Sequence, residues 1–356
     1  MNTEACPKHM VFGPCADVRQ GGGCEVPTSD GGPVRCVFLD SAPTYVPSGA
    51  PSGVPVDRTM VKRSPAAATP LILSELPEHA NSSDELRRTA RRLVGSVDAV
   101  LFGDANWMRV RFPPSYRARV VHDVGLAAWP GINARDRNRV ALEGELAALA
   151  DLGVLGVHCV TGNHPVSGHR ADAAPVFDLD STRLTELAAT FGHRISVAAS
   201  PHTPPTHLRA SRTAGKALAG ATICMVDQPS TADDLALFIA ETRSNGAVDL
   251  GFVPVVSVVF ERGDFVRWSQ YPNARIPSGW HDRVAASADV ASTGMTLALE
   301  LAESLLAIDG TVGVLFASTA DPAQSDRVAD AFASLAIDLR RRVRGRQPDV
   351  ATPPAG

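Results

Sequence analysis

Four cysteines near the amino terminus carry the clearest chemical signal in this sequence. Cys6, Cys15, Cys24 and Cys36 are separated by gaps of eight, eight and eleven residues, whereas residues 37–356 contain only Cys159 and Cys224. Four thiolates suit a tetrahedral zinc ion and equally suit a cubane iron–sulfur cluster. The gaps differ from the paired Cys-x-x-Cys of zinc ribbons. We therefore expect a bound metal, with structural zinc favoured over the cluster.

Acidic residues that follow apolar runs are candidates for acid–base chemistry. Glu75 ends the run that begins at Leu71, and partial desolvation there would raise its pKa toward the range useful for proton donation. The alternative is a solvated charge at a strand end. Asp104 follows the next apolar run and either lines the site or caps a turn.

Two further motifs follow apolar runs. The charged run Arg135-Asp136-Arg137-Asn138-Arg139 opens a predicted helix, where free backbone N–H groups and arginines would hold an anionic ligand. The alternative is a charged helix start in which Asp136 complements the dipole. In Thr161-Gly162-Asn163-His164-Pro165, the glycine lets the backbone approach a flat ligand. His164 either contacts that ligand or is a loop histidine, and the loop interpretation is favoured.

The elements that must position these residues alternate along the chain. Short apolar runs predict eight strands, at 71–75, 99–103, 125–133, 156–161, 194–200, 222–227, 250–256 and 311–316. Helical spacing and start signals predict helices near 82–85 and over 136–152, 181–191, 231–244, 285–307 and 322–341. Near-continuous apolar strands between helices indicate a closed parallel (β/α)8 TIM barrel, which carries its chemistry at the carboxyl ends of the strands.

Composition divides the chain into four parts. Residues 1–40 form a Gly-, Pro- and Cys-rich module too small to fold without a metal. Residues 41–70 are a Pro-rich linker, or a strap lying on the next domain. We expect the catalytic barrel over 71–340 and a disordered, frayed tail from about 340, over 341–356.

Bulk composition excludes several partners. A net charge of −4 and 5% aromatic residues offer neither the basic surface nor the stacking groups that nucleic acids need. No apolar segment is long enough for a membrane span, and the polar start lacks the features of a signal peptide. We therefore expect a cytoplasmic protein, in which clustered cysteines bind metal rather than form disulfides.

Three stretches closely resemble the methylenetetrahydrofolate reductase family: 134–139, 161–165 and Pro175-Val176-Phe177-Asp178-Leu179-Asp180-Ser181. The resemblance spans about residues 71–316. It implies that Glu75 is the acid that opens the methylene bridge of the folate. It also implies substrate contacts at Asp104, Asn163, Asp227 and Gln228, and cofactor contacts at Arg135, Arg137, Thr161, Gly162, His164 and Lys216. The cysteine pattern is similar to a small domain found with some of these reductases and their partner subunits, where it usually follows the barrel.

Three departures from the family pattern concern the cofactor and the pterin. Asn163 stands where an aspartate near flavin and pterin is usual, and 200–206 lacks the tyrosine and both acidic residues of the flavin loop. Asp227, followed by Gln228, stands where a pterin-binding glutamine is usual, and a carboxylate there can accept two N–H bonds from the aminopyrimidine edge. Lys216 keeps its place, which implies a pyrophosphate contact.

These features predict an oxidoreductase that reduces 5,10-methylenetetrahydrofolate to 5-methyltetrahydrofolate with NADH or NADPH. The resemblance allows hydride transfer through FAD. The residues missing from the flavin loop at 200–206 instead favour direct transfer from the nicotinamide. Two alternatives stay open: a methyl-transfer or electron-transfer component that works with a methyltransferase or a partner subunit, and a non-catalytic folate-binding subunit. The sequence leaves the oligomeric state open.

Overall fold

The computed structural model describes residues 5–47, 69–77, 81–103, 110–168, 170–271 and 274–345. Asp104, expected in the site, lies outside these residues, as does most of the Pro-rich linker. Within the described chain, the cysteine module comes first and a strand–helix alternation follows.

Eight parallel strands form the predicted closed barrel, in the order β1 to β8. Strand β1 pairs with β2 through Leu73 and Ala99, and β8 closes the ring by pairing Gly313 with Leu71. Because every strand runs the same way, all eight carboxyl ends meet at one face, which we call the mouth. The strands are β1 Leu71–Glu75, β2 Ala99–Phe102, β3 Ala128–Asn133, β4 Val157–Val160, β5 Ile195–Ala199, β6 Ile223–Val226, β7 Gly251–Val258 and β8 Gly313–Ser318.

Helices surround the barrel. Several begin at side-chain caps, including Ser82, Asn138, Asp180 and Thr231, each accepting a hydrogen bond from a backbone N–H in the first turn. The described helices are α1 Ser83–Leu93, α2 Pro114–His122, α3 Arg139–Asp151, α4 Ser181–Thr190, α5 Arg209–Leu218, α6 Ala232–Ser244, α7 Gly263–Ser269, α8 Trp280–Ala285, α9 Val290–Leu306 and α10 Ser325–Gly345. The sequence did not predict α2, α5, α7 or α8.

The carboxyl-terminal helix corrects the expected start of the tail. Fraying was expected from about residue 340, yet α10 continues to Gly345. Arg340 bonds Asp98 at 2.8 Å and Arg342 bonds Glu303 at 3.1 Å, so contacts with the barrel hold this last turn. None of the helices in the described ranges is long and apolar enough to cross a membrane.

The barrel interior is packed with side chains. Trp129 is fully buried there with Leu73, Val253 and Leu315, and its Nε1 donates to Ser196 Oγ at 2.9 Å. A β-carbon at Gly156 would lie 2.5 Å from the Trp129 ring, so only glycine fits beneath it. This layer forms a floor under the mouth.

The cysteine module has a small core of its own. Met10, Val18 and Phe38 are buried together with Cys6 and Cys36. The chain that leaves the module lies on the barrel, where Tyr45 packs edge-on against Phe12 and faces Gly215 of α5. Residues 41–47 thus lie along the barrel in the manner of a strap.

Candidate functional site

Polar side chains cluster where the strands end at the mouth. Glu75 ends β1 and Asn133 ends β3. Asn163, Ser200 and Asp227 follow β4, β5 and β6. The closed parallel barrel therefore brings together Glu75, Asn163 and Asp227, which lie far apart in sequence, at one face.

Asp227 lies in the recess of the mouth. Its backbone N–H donates to Ala199 O at 2.8 Å, and Ser200 Oγ donates to its Oδ2 at 3.4 Å. Solvent reaches the side chain, but the surrounding strand ends displace much of the bulk water. This desolvation raises the pKa of Asp227 to about 6; the Ser200 hydrogen bond opposes the rise and the charge of Asp17 adds to it.

Tyr271 lies near two of the carboxyl groups at the mouth, those of Glu75 and Asp227. Desolvation raises the pKa of the Tyr271 phenol, and the negative charges of Glu75 and then Asp227 raise it further. Both carboxyl groups therefore lie within electrostatic reach of one hydroxyl. Glu75 itself is half-buried, as expected for a carboxyl group at a strand end. Tyr271 was not predicted, because no spacing pattern links it to the strand ends.

The loop after β4 takes up its conformation through the predicted glycine. Gly162 has φ +89°, and a β-carbon there would lie 3.2 Å from Arg135 Cβ and 3.3 Å from Asn133 Cβ. Thr161 is buried, and its Oγ1 accepts from Ser181 N at 3.0 Å. These contacts tie the loop to β3 and to the start of α4.

His164 lies at the contact between the barrel and the cysteine module. Its Nδ1 accepts from Val166 N at 3.2 Å, its ring stacks on Phe177, and its backbone N–H donates to Glu25 Oε1 at 3.0 Å. Burial lowers the pKa of His164, and the charge of Lys8 lowers it further. His164 thus has several contacts within the loop and with the module, and a ligand contact by His164 stays a prediction.

The charged run after β3 lies beside the β4 loop. Arg135 makes a two-pronged ion pair with Asp136, at 2.8 and 2.6 Å, and Arg137 is half-buried. The helix itself begins only at Arg139, with Asn138 as its cap. The run is therefore a loop at the mouth, and a ligand contact by Arg135 or Arg137 stays a prediction.

Gln228 and Lys216 have partners within the protein. Gln228 has φ +40°, and its Oε1 accepts from Trp268 Nε1. Lys216 lies on α5, buried against the outside of the barrel, and its Nζ donates to Ala198 O at 2.7 Å. Burial, with a smaller effect of Arg212, lowers the pKa of Lys216 to about 7. A cofactor contact by Lys216 stays a prediction.

The cysteine module covers the β4–β5 side of the mouth. Glu25 accepts from His164 N and, at 3.1 Å, from Ser167 Oγ. Arg209 of α5 donates to Cys15 O at 3.0 Å and to Thr203 O at 2.7 Å, so it joins the module to the loop after β5. Sequence patterns gave no signal for this docking.

All four predicted metal-binding cysteines line one small cavity of the module. Desolvation raises the pKa of Cys15 to about 12 and also raises the pKa of Cys24 and Cys36, and the charge of Cys6 would raise the last two further. These thiols are therefore protonated without a metal, and a metal bound by the four sulfur atoms would have to displace the protons. Among the described residues, however, no three Cys, His, Asp or Glu side chains are arranged to hold a metal ion as they stand. Zinc or iron–sulfur binding stays a prediction.

Fold and mouth together define a (β/α)8-barrel protein whose mouth carries carboxyl and amide groups and is covered on one side by a cysteine-rich module. The barrel resembles that of a Clostridium thermocellum protein described as binding two copies of 5-methyl-5,6,7,8-tetrahydrofolic acid. The two share 13% identity with a TM-score of 0.56, over 77% of this chain and 96% of the other. At this identity the likeness establishes the fold. No protein-family model and no curated protein matches the chain.

Proposed function

We propose that this chain is a methylenetetrahydrofolate reductase-like oxidoreductase, which reduces 5,10-methylenetetrahydrofolate to 5-methyltetrahydrofolate with NADH or NADPH. The observation that carries the proposal is the placement of Glu75, Asn163 and Asp227 at one face of the closed barrel, where β1, β4 and β6 end. A protein of the same fold binds 5-methyltetrahydrofolate, which is the product of the proposed reaction.

Three side chains would orient the pterin. The Asp227 carboxylate would accept N–H bonds from the aminopyrimidine edge, and its charge strengthens such bonds. Gln228 uses its amide oxygen for Trp268, which leaves its amide nitrogen to donate. Asn163 lies across the mouth, on the β4 loop.

Glu75 would act as the general acid. Its proton goes to N10 of the folate, the bond between N10 and the methylene carbon breaks, and the five-membered ring opens to a 5-iminium cation. A nicotinamide bound beside the folate would supply the hydride that converts the methylene carbon to the methyl group. Glu75 then regains a proton from solvent, so the net reaction consumes one NAD(P)H and one proton.

Two observations support direct hydride transfer rather than transfer through FAD. Lys216, the residue that the resemblance assigns to a pyrophosphate, has its ammonium group buried at Ala198 O. The module also packs through Arg209 against the loop after β5, where the resemblance expects flavin contacts. These contacts favour direct transfer, and no step of the mechanism involves FAD.

The proposal is tested with Glu75→Gln, which keeps the shape of the side chain and removes its acid function. We expect turnover of 5,10-methylenetetrahydrofolate to fall by a factor of about 10² to 10⁴, with unchanged affinity for 5-methyltetrahydrofolate. Glu241→Gln, an exposed position on α6, is the matched control. Near-normal turnover of Glu75→Gln would overturn the mechanism. Wild-type protein that binds folate without turnover would instead identify a folate-binding component.

We also propose that the four cysteines bind zinc. One experiment tests the metal and the flavin together: the absorption spectrum and metal content of anaerobically purified protein. Colourless, zinc-loaded protein agrees with zinc and direct hydride transfer. Flavin bands would restore the route through FAD, and a broad iron–sulfur band would indicate an electron-transfer partner.

A further inference from the structure

The cysteine module contributes a carboxylate to the mouth of the barrel. Asp17 follows Cys15 closely in the module, and its Oδ1 accepts from Asn163 Nδ2 at 2.7 Å. This bond joins residues 146 positions apart in sequence. Its partner Asn163 is one of the residues expected to contact the pterin, so the module extends into the site itself.

Lys8 binds the Asp17 carboxylate oxygen that does not contact Asn163. Lys8 Nζ lies 2.6 Å from Asp17 Oδ2 and also pairs with Glu25, and the Lys8 side chain is only 2% exposed. Glu25 in turn bonds His164 N and Ser167 Oγ on the β4 loop. Asp17 is thus held at both oxygens, by a buried cation on one side and by Asn163 on the other.

This arrangement sets which way the Asn163 amide faces. An amide presents an N–H₂ donor on one side and a carbonyl acceptor on the other. Because Asp17 is a carboxylate, it accepts the Asn163 N–H₂ group, and the Asn163 oxygen is left to accept from a ligand. The charge of Asp17 also reaches Asp227 across the recess.

We propose that Asp17 is a positioning residue of the folate site, which orients the Asn163 amide so that its oxygen accepts an N–H bond from the pterin. The site is then a composite of the barrel and the cysteine module. This inference rests on the proposed function, because it needs folate to bind at the mouth.

Asp17→Asn tests the orientation directly. Lys8 offers only donors, so the introduced amide turns its oxygen toward Lys8 and its N–H₂ group toward Asn163. The Asn163 side chain must then flip to accept, and a donor replaces the acceptor at the mouth. The ligand then loses one hydrogen bond and leaves a polar group unpaired, which should weaken binding of 5-methyltetrahydrofolate about tenfold. Titration calorimetry measures this change in Kd.

The reciprocal exchange supplies the decisive comparison. Asn163→Asp alone places two carboxylates against each other and should also weaken binding. In the double variant Asp17→Asn with Asn163→Asp, the amide introduced at position 17 donates to the carboxylate introduced at position 163, whose second oxygen again accepts at the mouth. We expect the double variant to bind within about threefold of wild type, a coupling between the two positions that a loosened module would not produce.

The outcomes separate this inference from the proposed function. Asp40→Asn, an exposed module position, is the control and should bind as wild type does. Wild-type affinity in Asp17→Asn, or a double variant weaker than both single variants, would overturn the positioning role while the proposed function stands. If the wild-type protein itself fails to bind 5-methyltetrahydrofolate, the proposed function is wrong as well.

Discussion

Folate affinity should depend on pH through Asp227. Desolvation raises the pKa of this carboxyl group to about 6, and only the ionised form accepts two N–H bonds from the aminopyrimidine edge. As the pH falls through this value, the group takes up a proton and loses acceptor capacity. Binding should therefore be strong above pH 6 and weaken below it.

The magnitude follows from the fraction of ionised carboxyl group. With a pKa of about 6, roughly nine-tenths of Asp227 is ionised at pH 7 and roughly one-tenth at pH 5. If only that form binds, the Kd for 5-methyltetrahydrofolate rises about tenfold between these two values. Ser200 and Asp17 act on Asp227 directly, and Tyr271 lies within electrostatic reach of both Asp227 and Glu75.

Titration calorimetry at several pH values between 5 and 7 measures the effect. A binding assay is preferable to turnover, because the proposed mechanism uses Glu75 as a proton donor, so turnover would vary with pH for a second reason. Asp227→Asn is the control: it should bind more weakly at pH 7 and show a flat profile, apart from ionisation of the ligand itself. A flat wild-type profile, or an unchanged slope in Asp227→Asn, would refute the reasoning.

Two further predictions concern stability and are measured by urea unfolding. Trp129→Ala removes the largest side chain of the floor and should lower the free energy of unfolding by about 3–5 kcal/mol. The control Leu237→Ala, at a 62% exposed position, should change it by less than about 1 kcal/mol. Equal effects of the two substitutions would contradict the packed floor. Gly162→Ala forces a β-carbon into a φ of +89° beside Arg135 and Asn133 and should destabilise the protein by about 1–2 kcal/mol. Gly144 lies on the exposed face of α3 with open space around it, so Gly144→Ala should instead stabilise the protein by about 0.5–1 kcal/mol. If Gly162→Ala also stabilises the protein, the loop does not need glycine.

The barrel could be predicted because its strands are short apolar runs bounded by turn residues. All eight runs became strands, and Glu75 and Asp227 lie at the mouth because parallel strands end at one face. Helices with weaker patterns were missed. Helix α5 buries small or polar side chains such as Ala210, Thr213 and Lys216 rather than an apolar stripe, so its spacing gave no signal.

Residues that reach the site from other parts of the chain were not predicted. Asp17 meets Asn163 only because the module docks through Glu25 and Arg209, and this docking depends on surface complementarity rather than on periodicity. Tyr271 likewise comes from the segment after α7. Local patterns cannot indicate such contacts, because they depend on the folded surfaces of both parts.

The packed floor under the mouth has a kinetic consequence. With Trp129 packed in the barrel interior, a ligand bound beside Glu75 would leave through the opening by which it entered. The module stands over the β4–β5 side of that opening, so it narrows the route by which a ligand arrives and leaves. Under the proposed function, release of product through this one opening would limit turnover whenever the chemical step is faster.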